Sequence, residues 1–303
     1  MRYSSKKGIA LLVTLLFVVL ILFSLGVGLK HINKASHYVK QEIFLHQTSI
    51  ILDDILTFIH ESDDLNSLNS ADMLNEFLET NSFIAFEHSG IIINIRLESA
   101  RSKFDLNSLV SHENIININR AESLKQYVGK SMVSSSFVDI LLDLMTDVKE
   151  DNLYKSAIFD EKPDLFRDYI VSYKHFSEAI DFYENSYYDN NIEDIDFKSF
   201  LYFYENSQDL YKVDLNYAAA EVWEILLRCD TQRAIELSND FYYSIESIDL
   251  NDDEKNMLSM FNTSIFEPHL NIYLDITKGE YNSKVKFEYS IPDRKESKLV
   301  YKI

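Results

Sequence analysis

The chain has 303 residues, of which 46% are apolar and 13% aromatic; that is enough to bury a substantial core in one large or two small domains, and it excludes a disordered tail. A formal charge of −20, from 49 acidic against 29 basic residues, argues against nucleic acid or anionic lipid as the main partner and suits a soluble surface or one that gathers divalent cations. The single cysteine, Cys229, excludes an intramolecular disulfide; beside Leu226 and Leu227 it fits a small core residue better than a nucleophile.

Arg2, Lys6 and Lys7 open the chain without an acid, and from Ile9 to Leu29 no residue is charged. At about 1.5 Å per residue this run spans roughly 31 Å, the thickness of a bilayer's hydrocarbon core, so 9–29 is predicted to be a transmembrane helix. The basic flank predicts a cytoplasmic N-terminus with the bulk on the far side. The run is longer than a signal-peptide core, and Gly26, Gly28 and Ser36 make no small-residue cleavage end. Residues 30–60 contain neither Gly nor Pro, and Ile43, Ile50, Leu52, Leu56 and Ile59 recur with helical spacing, so the same helix is expected to continue to about His60.

The stretch SFIAFEHSGIIINIRL, 82–97, reads as strand, with Gly90 as a turn or bulge. Helical periodicity then dominates over 135–148, 164–184 (opened by Pro163), 217–227 and 231–243, and alternation returns over 270–276, 284–291 and 299–303. Strands, a helical block and strands again predict an α/β (α+β) domain carrying an inserted helical subdomain, rather than two domains in series.

No nucleophile–histidine–acid set and no phosphate loop can be assembled, so no catalytic residue is assigned and the chain is expected not to be an enzyme. The pairs Asp139/Asp143 and Asp181/Glu184 have the spacing of solvated helix faces. Aromatic runs such as FLYFYEN, 200–206, fit packing surfaces.

The opening KKGIALLVTLL resembles the class III leader of type IV pilin-like proteins, in which a prepilin peptidase cuts after the glycine. The resemblance implies a leader over 1–8, cleavage between Gly8 and Ile9 followed by N-methylation, and a helix retained from Ile9. Most of that superfamily has glutamate at the fifth mature position; this chain has Val13, as the K-type minor pseudopilin of type II secretion characteristically has an aliphatic residue. KFDLNSL, 103–109, and VDLNYAAAEV, 213–222, are similar to that family's L-N and N-x-N-T-A segments, with Tyr217 in place of threonine.

From this resemblance follow a pilin-like fold with an antiparallel sheet, a first part over 61–130, an inserted helical subdomain over 131–262 and completing strands over 263–303. It also implies partnership with I-type and J-type minor pseudopilins, the prepilin peptidase and the membrane, and a place in a bacterial inner membrane, single-pass with periplasmic bulk, then at the pseudopilus tip. A minor pilin of a type IV pilus, or a single-pass anchored sensor or scaffold, are the alternatives. Calcium is implied too. Its candidate ligands are Asp249, Asp252, Asp253 and Glu254, with the turn Asp189–Asp196 as a second loop; neither has an EF-hand pattern.

Overall fold

The computed structural model describes residues 5–111, 113–147, 154–204 and 211–302, with side chains from Lys30 onward except Ile32 and Asn33. A single helix, α1 (Ser5–Glu61), opens the chain; at about 1.5 Å per residue it is roughly 85 Å long. It stops where Ser62 accepts from the Leu65 N–H and caps α2 (Asp63–Asn66), which leads to α3 (Ala71–Asn81). Strands β1 (Phe83–His88) and β2 (Ile91–Ser99) form a hairpin. Its two turn residues, Ser89 and Gly90, have φ of 52° and 73°, the left-handed pair that matches strand twist and that Gly90 adopts without strain.

After β2 come β3 (Phe104–Asp105), α4 (Ile118–Lys130), α5 (Ser136–Leu144), α6 (Ile158–Glu161), α7 (Tyr173–Tyr187), α8 (Phe197–Phe200), β4 (Leu201–Tyr202) and β5 (Val213–Asp214). Then follow α9 (Ala220–Leu227), α10 (Thr231–Asn239), α11 (Asp252–Leu258), β6 (Thr263–Ser264), β7 (His269–Lys278), β8 (Tyr281–Ser290) and β9 (Lys295–Lys302). The main sheet is antiparallel, in the order β1-β2-β7-β8-β9. Because β2 pairs directly with β7, Ile95 opposite Leu274, the described residues between Ala100 and Pro268 lie outside the sheet as an inserted block.

The expected transmembrane helix is corrected. Among the described residues no helix is long and apolar enough to cross a membrane; from Lys30 on, α1 carries Lys34, Lys40, Glu42, Asp53 and Asp54, which break any apolar window. The side chains of 9–29 lie outside the described residues. The fold is α+β, with an antiparallel sheet and a helical subdomain, and the single-pass inner-membrane placement with its periplasmic bulk loses its support.

A second correction concerns 164–184. That helix starts only at Tyr173, where Ser172 caps it, because Ile170 is held by both its N–H and its carbonyl in bonds to the Asn107 side chain.

Two apolar cores result. In the sheet, β7 alternates, burying Leu270, Ile272, Leu274 and Ile276; these meet Val285, Phe287 and Tyr289 of β8 and, from α1, Phe44 and Ile59. In the block, Trp223, Phe137, Phe176 and Phe197 are at most 1% exposed. Each such ring contributes roughly 2–3 kcal/mol by leaving water.

Candidate functional site

Between the two cores lies a polar joint centred on Glu288. This residue faces away from Phe287 and Tyr289, yet it is 5% exposed because the inserted block covers it. Arg101 Nη1 donates to its carboxylate at 2.6 Å and the Tyr202 hydroxyl at 2.7 Å. Lys298 of β9 stands 3.8 Å from the same carboxylate and donates to the Tyr202 hydroxyl. Burial opposes ionisation of Glu288, but Arg101, Tyr202 and Lys298 outweigh it and hold the carboxyl below its ordinary range. The Arg101 guanidinium also stacks on Tyr211, 4.9 Å from the ring centre, and the Tyr211 hydroxyl donates to the Lys103 carbonyl at 2.8 Å.

A short pattern flanks the joint twice. Lys103-Phe104-Asp105-Leu106-Asn107 and Lys212-Val213-Asp214-Leu215-Asn216 share K-x-D-L-N. Each opens in a two-residue parallel pairing, β3 with β4 and β5 with β6. Each aspartate accepts the N–H of the asparagine two residues on, at 3.2 and 3.1 Å. Each takes a second N–H from across the pairing, from Tyr204 at 3.0 Å and from Glu267 at 2.9 Å. Burial pushes both carboxyls up to about 7. The two copies are tied together where Asp214 N–H donates to the Arg101 carbonyl at 2.8 Å. Their resemblance to family strings does not reveal that the two segments match each other; the signal for that is the recurrence of K-x-D-L-N.

A carboxyl titrating near neutrality could serve as a general acid. Asp105 has no room for that: the cavity beside it is about 10 Å³, space for one water at most. Asp143 is likewise structural. It was expected on a solvated face, but it is 1% exposed and accepts from the Ser156 N–H and hydroxyl at 2.6 and 2.7 Å and from the Lys155 N–H at 3.1 Å. Burial pushes the Cys229 thiol up to about 11, so it stays protonated at neutral pH. Tyr202, Tyr204 and Tyr211, around the FLYFYEN run, pack on one another.

The candidate calcium residues gather at a helix start. Asn251 and Glu254 form a reciprocal capping box on α11, and Asp252 and Asp253 occupy its first turn, where the helix dipole favours acids. Glu254 accepts from Arg233 Nε at 3.2 Å, while the Asp249 carbonyl accepts from the same guanidinium. In the second loop Asp189 accepts from the Tyr183 hydroxyl and Asp196 caps α8. Among the described residues no group of three or more acidic, histidine or cysteine side chains could hold a metal ion. Arg2 lies outside the described residues altogether, as do the side chains of Lys6, Lys7, Ile9 and Val13; the backbone at Gly8–Ile9 is helical.

The fold as a whole has a counterpart among solved structures. The fold is similar to that of a chain in the crystal structure of the GspK-GspI-GspJ complex from the type 2 secretion system of enterotoxigenic Escherichia coli, with a TM-score of 0.55. The likeness is one of architecture. It spans 89% of this chain and 98% of that one at 13% identity. No protein-family model and no curated protein matches the sequence.

Proposed function

We propose that this chain is an assembly subunit of a type II secretion pseudopilus: the K-type minor pseudopilin at its tip, joined to I-type and J-type partners. The observation that carries this reading is the likeness of fold, over 89% of this chain and 98% of the other, to a chain of such a complex; in this chain the fold is a large helical block inserted between neighbouring strands of an antiparallel sheet behind a long helix. The aliphatic Val13 supports the same choice within the superfamily. In this reading the chain assembles and transforms no substrate; consistent with that role, the buried carboxylates of Asp105, Asp143, Asp214 and Glu288 accept from the protein's own donors. The inserted block, by its bulk, closes the end of the filament.

Co-expression tests this directly. Co-expressed with I-type and J-type minor pseudopilins, the chain is expected to elute as one ternary complex. Deleting its gene is expected to stop export of proteins to the medium while surface pili persist; lost pili with intact export would instead assign it to a type IV pilus.

A further inference from the structure

The inner face of the main sheet is only partly covered. Helix α1 lies along β8, where Phe44 packs on Tyr281 and His60 on Tyr289, and α3 packs against β2. Between the two helices an open groove of about 790 Å³ reaches down to the sheet. Ile93 and Ile95 of β2 form its floor, Ile55 and Phe58 of α1 one wall, Met73 and Phe77 of α3 the other. Phe58 is 72% exposed and Phe86, at the β1 lip, 52%. Two large rings held in water at one opening mark an interaction surface rather than scattered surface apolarity.

Charge decides the occupant. Every ionisable side chain lining the groove is acidic: Asp54 on the α1 wall, Asp64 on α2 and Glu76 on the α3 wall. Apolar depth between two acidic rims complements an amphipathic helix whose apolar stripe is flanked by lysine or arginine, and a helix laid there completes a layer that α1 and α3 leave open. A second copy of this chain is disfavoured, since each copy carries a formal charge of −20. Fatty-acid carboxylates meet the same acidic rim.

We infer that this groove is the docking site for a basic-flanked amphipathic helix of a partner subunit. The inference rests on the assembly reading for the existence of that partner, while the groove's own chemistry is testable without it.

The probe is a labelled synthetic helix with leucines at i, i+3, i+4 and i+7 and lysines at its remaining positions, titrated into the full chain by fluorescence anisotropy. A second peptide carries glutamate in place of every lysine. The lysine peptide is expected to bind with a micromolar Kd that weakens with salt, to lose at least tenfold in Phe58→Glu and in Phe86→Glu, and to outbind the glutamate peptide at least tenfold. Both phenylalanines are more than half exposed, so the variants should keep the parent melting temperature, which is measured alongside. Equal binding by the parent and both variants, or by both peptides, overturns the inference. So does parent self-association that Phe58→Glu abolishes with no lysine-peptide binding, which gives the groove to a second copy. In the co-expression experiment, a ternary complex that survives both variants overturns the groove as its docking site and leaves the assembly reading standing; no complex with the parent chain, alongside specific peptide binding, defeats the assembly reading and leaves the groove chemistry standing.

Discussion

Asn107 and Asn216 make the same three bonds at two places in the block. Asn107 Nδ2 donates to the carbonyls of Ile170 and Tyr204, at 3.0 and 2.9 Å, and its Oδ1 accepts from the Ile170 N–H at 2.8 Å. Asn216 Nδ2 donates to the carbonyls of Tyr242 and Ile265, at 3.0 and 2.9 Å, and its Oδ1 accepts from the Tyr242 N–H at 2.7 Å. Each carboxamide thus pins two segments remote from it and satisfies backbone groups that are buried or part-buried. Replacing either by aspartate sets an acceptor against two carbonyls, and the expected cost is roughly 2–5 kcal/mol at each site. Urea unfolding followed by the fluorescence of the single tryptophan, Trp223, measures it; a large loss at one site with none at the other would deny the equivalence.

The Arg101–Glu288 pair makes the joint depend on charge. Glu288→Gln leaves Arg101 buried without its counter-ion, and a loss of roughly 3–5 kcal/mol is expected. The double variant Arg101→Met with Glu288→Met should recover most of that loss. If the double variant is as unstable as the single one, the pair is not what holds sheet and block together.

Asp105 and Asp214 predict different responses to amidation. Asp105 accepts both of its N–H groups on Oδ1, so Asp105→Asn keeps them; Asp214 uses one oxygen for each, so Asp214→Asn turns an amide toward an N–H. The folded pKa of Asp105, about 7, lies above the ordinary carboxyl value, so its stabilising contribution is full below the ordinary value and is lost as pH rises to about 7. Stability of Asp105→Asn relative to the parent should therefore rise from pH 4 to pH 7, by on the order of a few kcal/mol. His269, pushed down to about 4 by burial, works in the opposite sense, losing stability as pH falls below about 6.5. It is common to both proteins and cancels. A flat difference across that window defeats the assignment to Asp105.

At Asp249–Glu254 the acids serve a helix start. Burial opposes the charge on Glu254, but Arg233 and the Asn251 N–H hold its carboxyl below the ordinary range. Glu254→Gln should cost about 1 kcal/mol through the weakened cap and pair, and Asp252→Asn and Asp253→Asn a few tenths to 1 kcal/mol each. The calcium expectation is tested on the same residues: a rise in melting temperature at millimolar calcium that is lost on replacing Asp252 and Asp253 would locate the ion there, and no change with calcium or chelator would defeat it.

At the N-terminus, the resemblance of KKGIALLVTLL to a class III leader predicts Ile9 as the first residue of the protein recovered from cells containing the prepilin peptidase, with its amine methylated. A bulky residue at Gly8 should retain all of the leader, and intact Met1 on the parent protein would defeat the leader reading. Val13→Glu should not improve export if the subunit occupies only the tip.

Local pattern in the chain was enough to determine the long helix to about residue 60, strand on either side of Gly90, the closing strands and the helical block between them. Each rests on side-chain period or turn residues within a few neighbours, and the backbone responds to these wherever the element packs. Tertiary structure alone decided that β2 pairs with β7, that 164–172 is held out of a helix by Asn107, and that Asp143, an acid with the spacing of a solvated face, is buried. It also decided which remote segments the two K-x-D-L-N stretches pin, and that Glu288, one polar residue in an alternating strand, becomes the centre of the joint. The physical reason is common to all five. Period tells which face of an element avoids water, whereas the partner of a buried polar group arrives from a segment remote in sequence and leaves no mark on the residues around it.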